Sequence, residues 1–145
     1  MKKPDKVTGK YQADKAPRPM GAYPHARRVG DFLYLSGIGP RAPQTDEVPG
    51  NILNDQGQVI AHDIEAQCHA VFENVKTVLE SAGLRLDQLI DITVFLTDIA
   101  GDFERYNKVY AQYFGDIAPC RTTVGVSGLP SSIAIELKCI AHVGS

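Results

Sequence analysis

The sequence predicts an α+β fold in which two helices cover one face of a β-sheet. Two segments repeat apolar residues at steps of three and four, which is typical of helices that bury one side. Six shorter segments are β-branched, aromatic or alternating in polarity and predict strands, giving the order β-β-β-α-β-α-β-β. Because each helix has one apolar stripe, both are expected to pack on the same sheet. The other sheet face would stay open, so we expect a single domain over residues 1–145 that oligomerises through this face.

Three of the predicted strands lie near the start of the chain. A short strand is expected within residues 6–11, followed by an irregular, proline-rich segment. The Gly-Asp pair at 30–31 is a turn signal between two apolar runs and predicts a hairpin that ends at residues 36–37. Residues 39–58 are crowded with Gly, Pro, Asn and Asp, and they predict a long loop. Loops of that length are usually functional or mobile.

The first helix is predicted to begin after Asp63, a residue type that caps helices, and to end at Gly83, since glycine commonly terminates them. Residues 90–97 are β-branched and aromatic, so they predict a buried strand. The apolar stripe of the first helix consists of Ile64, Cys68, Val71, Val75, Val78, Leu79 and Ala82.

A second helix is expected to follow Asp102 and to end at Gly115 and Pro119. Its aromatic stripe is expected to be core and consists of Phe103, Tyr106, Tyr110, Tyr113 and Phe114. Strands over residues 121–127 and 133–141, joined by a turn, complete the predicted fold.

Composition and charge narrow the class of protein. The chain is 43% hydrophobic and 22% charged with a formal net charge of −2, as in ordinary soluble proteins. Nucleic acid is not an expected partner, because phosphate binding needs an excess of Lys and Arg. Cys68, Cys120 and Cys139 lack the spacing of a disulfide framework or metal site, so we expect reduced thiols in a cytoplasmic protein. We also expect no signal peptide and no membrane span, since no apolar run follows the early lysines and none approaches about 18 residues.

Two charged residues interrupt the last two predicted strands. Arg121 opens one apolar stretch and Glu136 lies inside the next. A charge in an apolar strand is costly unless it is paired or functional. We therefore expect a shared pocket in which Arg121 binds a carboxylate and Glu136 handles protons. A guanidinium meets a carboxylate through two parallel N–H donors, and a partly apolar cleft raises the pKa of a carboxyl group toward neutral.

Five stretches in combination resemble the RidA/YjgF family of enamine/imine deaminases: YLSG, VLESAGLRLDQLIDITVFLTD, DFERYNKVYAQYF, PCRTTVGVSGLP and IAIELKCIAHV. The resemblance covers residues 17–143, nearly the whole chain. It implies a chorismate-mutase-like fold with a mixed sheet, and a homotrimer with a central barrel-like core and clefts between subunits. It also implies hydrolysis of 2-imino or 2-enamino acids to 2-oxo acids and ammonia without a metal or organic cofactor.

The resemblance implies roles for individual residues. Arg121 would grip the substrate carboxylate and Glu136 would act with the catalytic water. Tyr23, Gly37 and Asn107 would complete the substrate site, although Tyr23 as a cap on the core and Asn107 as a structural hydrogen-bonding residue are competing interpretations. Backbone donors near Gly37 and Cys120 would steady the developing charge.

The stretches GAYPHARR and SGIGPR are similar to the branch of the family that includes 2-aminomuconate deaminases. Such a substrate carries two carboxylates, and Arg41 or His25 is the candidate for binding the second. The competing interpretation is that both are solvated loop residues. For the whole protein, two other functions remain open: a trimeric, non-catalytic metabolite-binding or chaperone-like protein that uses the same clefts, and an endoribonuclease, which the net negative charge disfavours.

Overall fold

The computed structural model describes residues 9–144, and its main element is a six-stranded sheet. The strand order is β1-β2-β3-β8-β6-β7, with β6 and β7 parallel and every other neighbouring pair antiparallel. The strands are β1 (Lys10–Tyr11), β2 (Ala26–Val29), β3 (Phe32–Leu35), β6 (Leu89–Leu96), β7 (Cys120–Gly125) and β8 (Ile135–His142). Residues 6–8 of the predicted first strand lie outside the described residues.

Helices α1 (Ile64–Ser81) and α2 (Ile99–Phe114) pack on this mixed sheet, which confirms the predicted α+β fold. Alternate residues of the central strands are fully buried beneath the helices: Ile92, Val94 and Leu96 on β6, and Ile135, Leu137 and Cys139 on β8. The side chains between them point to the other face. That face exposes Phe32 and Tyr34 at 38% and 41%, so it offers apolar surface to another chain.

The ends of α1 follow the sequence signals. The Asp63 side chain accepts from the backbone N–H groups of Glu65 and Ala66, and it caps the helix as predicted. Gly83 has φ of +79°, a left-handed conformation that glycine adopts at little cost. Both signals are local, which is why the sequence suffices to predict them.

The predicted start of α2 is wrong by about one turn. Asp98, not Asp102, precedes the helix, and its carboxylate accepts from the N–H of Gly101. Asp102 lies inside the first turn, where it is buried and accepts a 2.6 Å hydrogen bond from His62. A tertiary partner has taken the side chain that the sequence offered as a cap.

The predicted loop at 39–58 is also wrong in part, because it contains a strand. β4 (Asn51–Leu53) pairs antiparallel with β5 (Val59–His62) as a separate hairpin. The Asn54 side chain closes its turn by accepting from the N–H groups of Gln56 and Gln58. A three-residue strand among Gly, Asn and Asp gives too short a pattern to detect.

Two single-turn 3-10 helices, Leu86–Gln88 and Pro130–Ser132, lie in the remaining connections. No helix in residues 9–144 has both the length and the apolar composition needed to span a membrane.

Candidate active site

Arg121 lies on the edge strand β7 and extends toward α2. It pairs in register with Ile92, a residue buried beneath the helices, so both side chains lie on the helix-covered face. Its Nη1 donates a 2.8 Å hydrogen bond to Oδ1 of Asn107. The hydrogen-bonding partner of Asn107 is therefore the arginine itself. This bond uses one of the five N–H donors of a guanidinium and leaves its fork able to meet a carboxylate.

Three aromatic rings of α2 surround this guanidinium. Its carbon lies 4.7 Å from the ring centre of Tyr110, 5.3 Å from that of Tyr106 and 5.9 Å from that of Phe103. Distances of this order are typical of cation–π contacts, which stabilise a cation as it leaves water. The Tyr106 hydroxyl also bonds Oγ1 of Thr123 at 2.7 Å, on the same side of β7 as Arg121. Tyr106, Tyr110 and Phe114 are buried in the core as predicted, and Tyr113 packs against it. Phe103 is 37% exposed, so the prediction that it belongs to the core is wrong.

Glu136 lies on β8 and points to the open face of the sheet. Its carboxyl group is half-buried, and this burial raises its pKa above the ordinary value. It lies directly against Gly37, where an added Cβ would be 3.1 Å from the carboxyl carbon and would overlap one carboxylate oxygen. Reciprocal backbone hydrogen bonds of 2.8 and 2.9 Å between Ile38 and Leu137 fix this close approach.

A small cleft opens beside Gly37. Tyr23 lines it and is 44% exposed, and its hydroxyl accepts from the N–H of Met20 at 3.2 Å. Arg41 lies at the same cleft with 17% of its side chain exposed. The Arg41 guanidinium donates to Asp46 at 2.8 Å and to the carbonyl of Arg18 at 2.7 Å, so it is neither free nor fully solvated.

His25 has a structural role that the sequence did not predict. It is 6% exposed, its Nδ1 accepts from the N–H of Ala13 at 2.9 Å, and its Nε2 donates to the carbonyl of Pro17 at 2.7 Å. Both ring nitrogens therefore hold the proline-rich segment in place. We correct the sequence interpretation accordingly and do not retain His25 as a carboxylate ligand.

Arg121 and Glu136 do not share a pocket within one chain. Arg121 pairs with Ile92, which pairs in turn with Cys139 on the helix-covered face. Glu136 is three residues from Cys139 along β8, so it points to the opposite face. The expectation of one pocket holding both charges is therefore wrong for a single copy. Cys120, adjacent to Arg121, alternates away from the helices and is exposed.

The described residues thus form two incomplete sites on opposite surfaces. The arginine half-site contains Arg121, Asn107 and the aromatic rings of α2. The glutamate half-site contains Glu136, Gly37, Tyr23 and Arg41. No cluster of three or more His, Cys, Asp or Glu side chains suited to a metal ion occurs within residues 9–144.

Comparison with known proteins identifies the relatives of this fold. The profile of the family described as Endoribonuclease L-PSP matches residues 13–143. The chain belongs to this family, which also carries the names RutC, RidA and YjgF. Among its members, the RutC family protein of Saccharolobus solfataricus is 44% identical over 129 residues, covering 89% of this chain and 93% of the relative.

Solved structures of RidA/YjgF proteins share the fold along nearly their whole length. RidA from the Antarctic bacterium Psychrobacter is 32% identical with a TM-score of 0.79, covering 92% of this chain and 98% of the relative. Escherichia coli TdcF, whose structure contains bound serine, is also 32% identical with a TM-score of 0.78, covering 91% and 96%. A member of the family can therefore hold a small carboxylate-bearing molecule.

Sequence reasoning missed several residues that shape the two half-sites in this RidA/YjgF protein. Nothing in the sequence indicated that Tyr106, Tyr110 and Thr123 belong to a site. The spacing of residues 103, 106, 107 and 110 does place these four positions on one face of their helix. Gln67 and Asn74 interrupt the apolar pattern of α1 at buried positions. A polar residue inside an apolar stripe was the signal that could have found them.

Proposed function

We propose that this protein is a cofactor-independent deaminase that hydrolyses 2-imino or 2-enamino acids to 2-oxo acids and ammonia. The observation that carries the proposal is the separation of Arg121 and Glu136 onto opposite faces of one sheet. Each half-site holds one of the two groups that the reaction needs, so a neighbouring copy must supply the other. The homotrimer implied by the family resemblance would build such sites, with one half from each of two protomers.

The chemistry follows from the two half-sites. Arg121, held by Asn107 at 2.8 Å, would bind the substrate carboxylate and so fix the adjacent imine carbon. Water would add to this carbon to give a carbinolamine, and the carbon–nitrogen bond would then break to release ammonia. Glu136 of the neighbouring copy would accept a proton from the attacking water and pass it to the imine nitrogen. It would then move the hydroxyl proton of the carbinolamine to the same nitrogen as the carbon–nitrogen bond breaks and the carbonyl forms. Burial raises the pKa of this carboxyl group above its ordinary value, which is the direction that suits a group that both accepts and donates a proton.

The glutamate half-site further supports a substrate with a second carboxylate, such as 2-aminomuconate. Arg41 lines the same cleft as Tyr23 and Gly37, and its ion-pair partner Asp46 is 69% exposed. We expect Arg41→Ala to raise the KM for a dicarboxylic enamine about tenfold and to change that of a monocarboxylic imine little. If the KM for the dicarboxylic enamine is the same in the wild type and in Arg41→Ala, the dicarboxylate proposal is wrong.

Three free cysteines, two of them buried, support a reducing compartment such as the cytoplasm.

The function itself is tested with Arg121→Ala in an assay that generates a 2-imino acid in situ and follows ammonia release. We expect kcat/KM to fall about a hundredfold, because a charge-assisted bidentate contact is lost. Arg85→Ala is the matched control, since Arg85 is exposed and pairs only with Asp87 in the described part of the chain.

A subunit-mixing experiment tests where the site lies. The Arg121→Ala and Glu136→Gln variants are each expected to be inactive. If one copy supplies Arg121 and its neighbour Glu136, random mixed assembly restores about a quarter of the wild-type sites. Failure of any activity to return would place both groups in one copy and overturn the proposal. Substrate binding without turnover in the wild type would favour the non-catalytic metabolite binder, and RNA cleavage that survives Arg121→Ala would favour an endoribonuclease.

A further inference from the structure

Two amide side chains on α1 are buried in the hydrophobic core. Gln67 is fully buried and Asn74 is 5% exposed. They are seven residues apart, so they lie two turns from one another on the same helix face. An amide in such a position costs free energy unless it is fully hydrogen-bonded, and leucine would pack there at lower cost. Their presence therefore calls for a specific function.

Asn74 holds the segment that follows Gly37. Its Nδ2 donates two hydrogen bonds, each 2.9 Å long, to the carbonyl oxygens of Gly39 and Arg41. Gly39 and Arg41 form one wall of the cleft beside Gly37. The amide thus ties this wall to the rigid helix.

Gln67 holds the segment that leads into β8. Its Oε1 accepts from the N–H of Ala134 at 2.8 Å, two residues before Glu136. Its Nε2 donates to Oδ1 of Asn51 at 2.8 Å, and Nδ2 of Asn51 donates to the carbonyl of Ser132 at 3.1 Å. This chain of contacts ties the segment before Glu136 to the same helix.

The segment that Gln67 and Asn51 hold has a strained backbone. Ser131 and Ser132 have φ of +67° and +54°, in the left-handed region that side chains other than glycine disfavour. Such a conformation persists only where surrounding contacts fix it. The hydrogen bonds to Ser132 and Ala134 are contacts of this kind.

We infer that Gln67 and Asn74 are positioning residues for the proposed deaminase. Gln67 anchors the segment before Glu136 to α1 and Asn74 anchors the segment after Gly37, so together they support the contact that the Ile38–Leu137 hydrogen bonds make between the two segments. This inference rests on the proposed function for its effect on rate. Its effect on the geometry of the glutamate half-site is independent of any activity.

The test uses Gln67→Leu, Asn74→Leu and the milder Asn51→Ala, whose site is only partly buried and should fold readily. Val78→Ala is the matched control, because Val78 is a fully buried residue of α1 that touches neither segment by hydrogen bonds. We expect kcat/KM to fall about tenfold or more in the first two variants, chiefly through kcat, as a displaced catalytic group predicts. The control should lose stability but retain kcat/KM.

Two measurements separate this inference from the proposed function. The pKa of Glu136, followed by NMR, should fall toward its ordinary value in the variants, because the loosened segments beside Gly37 and Glu136 admit water. It should stay raised in Val78→Ala. Amide hydrogen exchange should accelerate at residues 37–41 in Asn74→Leu and at 132–136 in Gln67→Leu and Asn51→Ala. A wild type without deaminase activity would refute the proposed function, yet both measurements would still decide the positioning role. An unchanged Glu136 pKa with unchanged exchange in all three variants would overturn it.

Discussion

Replacing Gly37 by alanine perturbs the contact between the turn after β3 and the Glu136 carboxyl. Gly37 does not have a positive φ, so alanine is compatible with its backbone. The added Cβ would lie 3.1 Å from the carboxyl carbon of Glu136 and closer still to one carboxylate oxygen, whereas ordinary contact begins near 3.4 Å. The added methyl group would therefore push the Glu136 carboxyl group, a candidate catalytic group, out of its position.

The size of the effect follows from these distances. The carboxyl carbon must retreat by about 0.3 Å and the nearer oxygen by about 1 Å, and misplacement by about 1 Å can cost a hundredfold in rate. We expect kcat/KM to fall between about tenfold and a hundredfold. Overpacking of a half-buried side chain should cost only about 1 kcal/mol, because Glu136 can rotate toward solvent. The melting temperature should then fall by only about 3 °C.

The assay again generates a 2-imino acid in situ and follows ammonia release, with thermal unfolding measured on the same preparations. Gly128→Ala is the matched control, since Gly128 has no positive φ and nothing within 4 Å of an added Cβ. In a Glu136→Ala background the clash is absent, so Gly37→Ala should lower the melting temperature less than it does in the wild type. Equal losses of melting temperature in the two backgrounds, or wild-type kcat/KM in Gly37→Ala, would refute the reasoning.

Three further predictions concern ionisable groups. Burial raises the pKa of Glu136, so the contribution of its carboxyl group to stability is complete in acid and is lost as pH rises through the raised pKa. Glu136→Gln should therefore increase the melting temperature near pH 8 and leave it unchanged in acid. His62→Phe removes the donor to buried Asp102 and should lower the free energy of unfolding by about 2 kcal/mol, measured by urea titration. Burial raises the pKa of Cys68 and of Cys139 to about 12, so an alkylating reagent at pH 8 should modify neither until the protein is unfolded, as mass spectrometry would show.

Each of these has an outcome that contradicts it. If Glu136→Gln still increases the melting temperature in acid, the gain comes from packing and not from the ionisation of Glu136. A double His62→Phe/Asp102→Leu variant should recover part of the lost stability, because no carboxylate is then left buried without its donor. Rapid alkylation of either buried cysteine in the native state would mean that the core opens locally.

The predicted elements differ in how local their signals are. The ends of α1 were predictable because Asp63 and Gly83 act on their own neighbours. The hairpin of β4 and β5 was not, because its stability comes from contacts of Asn51 and His62 with the two helices. The start of α2 was misassigned for the same reason, since a distant histidine binds Asp102.

The sequence by itself determined the chemical types at the site: a lone arginine and a lone glutamate on successive strands, in a family pattern that spans the chain. It could not determine which sheet face each one occupies, because that depends on pairing Arg121 with Ile92, 29 positions away along the chain. It also could not predict that His25 is buried with both ring nitrogens hydrogen-bonded to backbone, whereas the guanidinium of Arg41 reaches a carboxylate. Side-chain chemistry is written residue by residue, whereas burial and facing are set only when distant segments pack together.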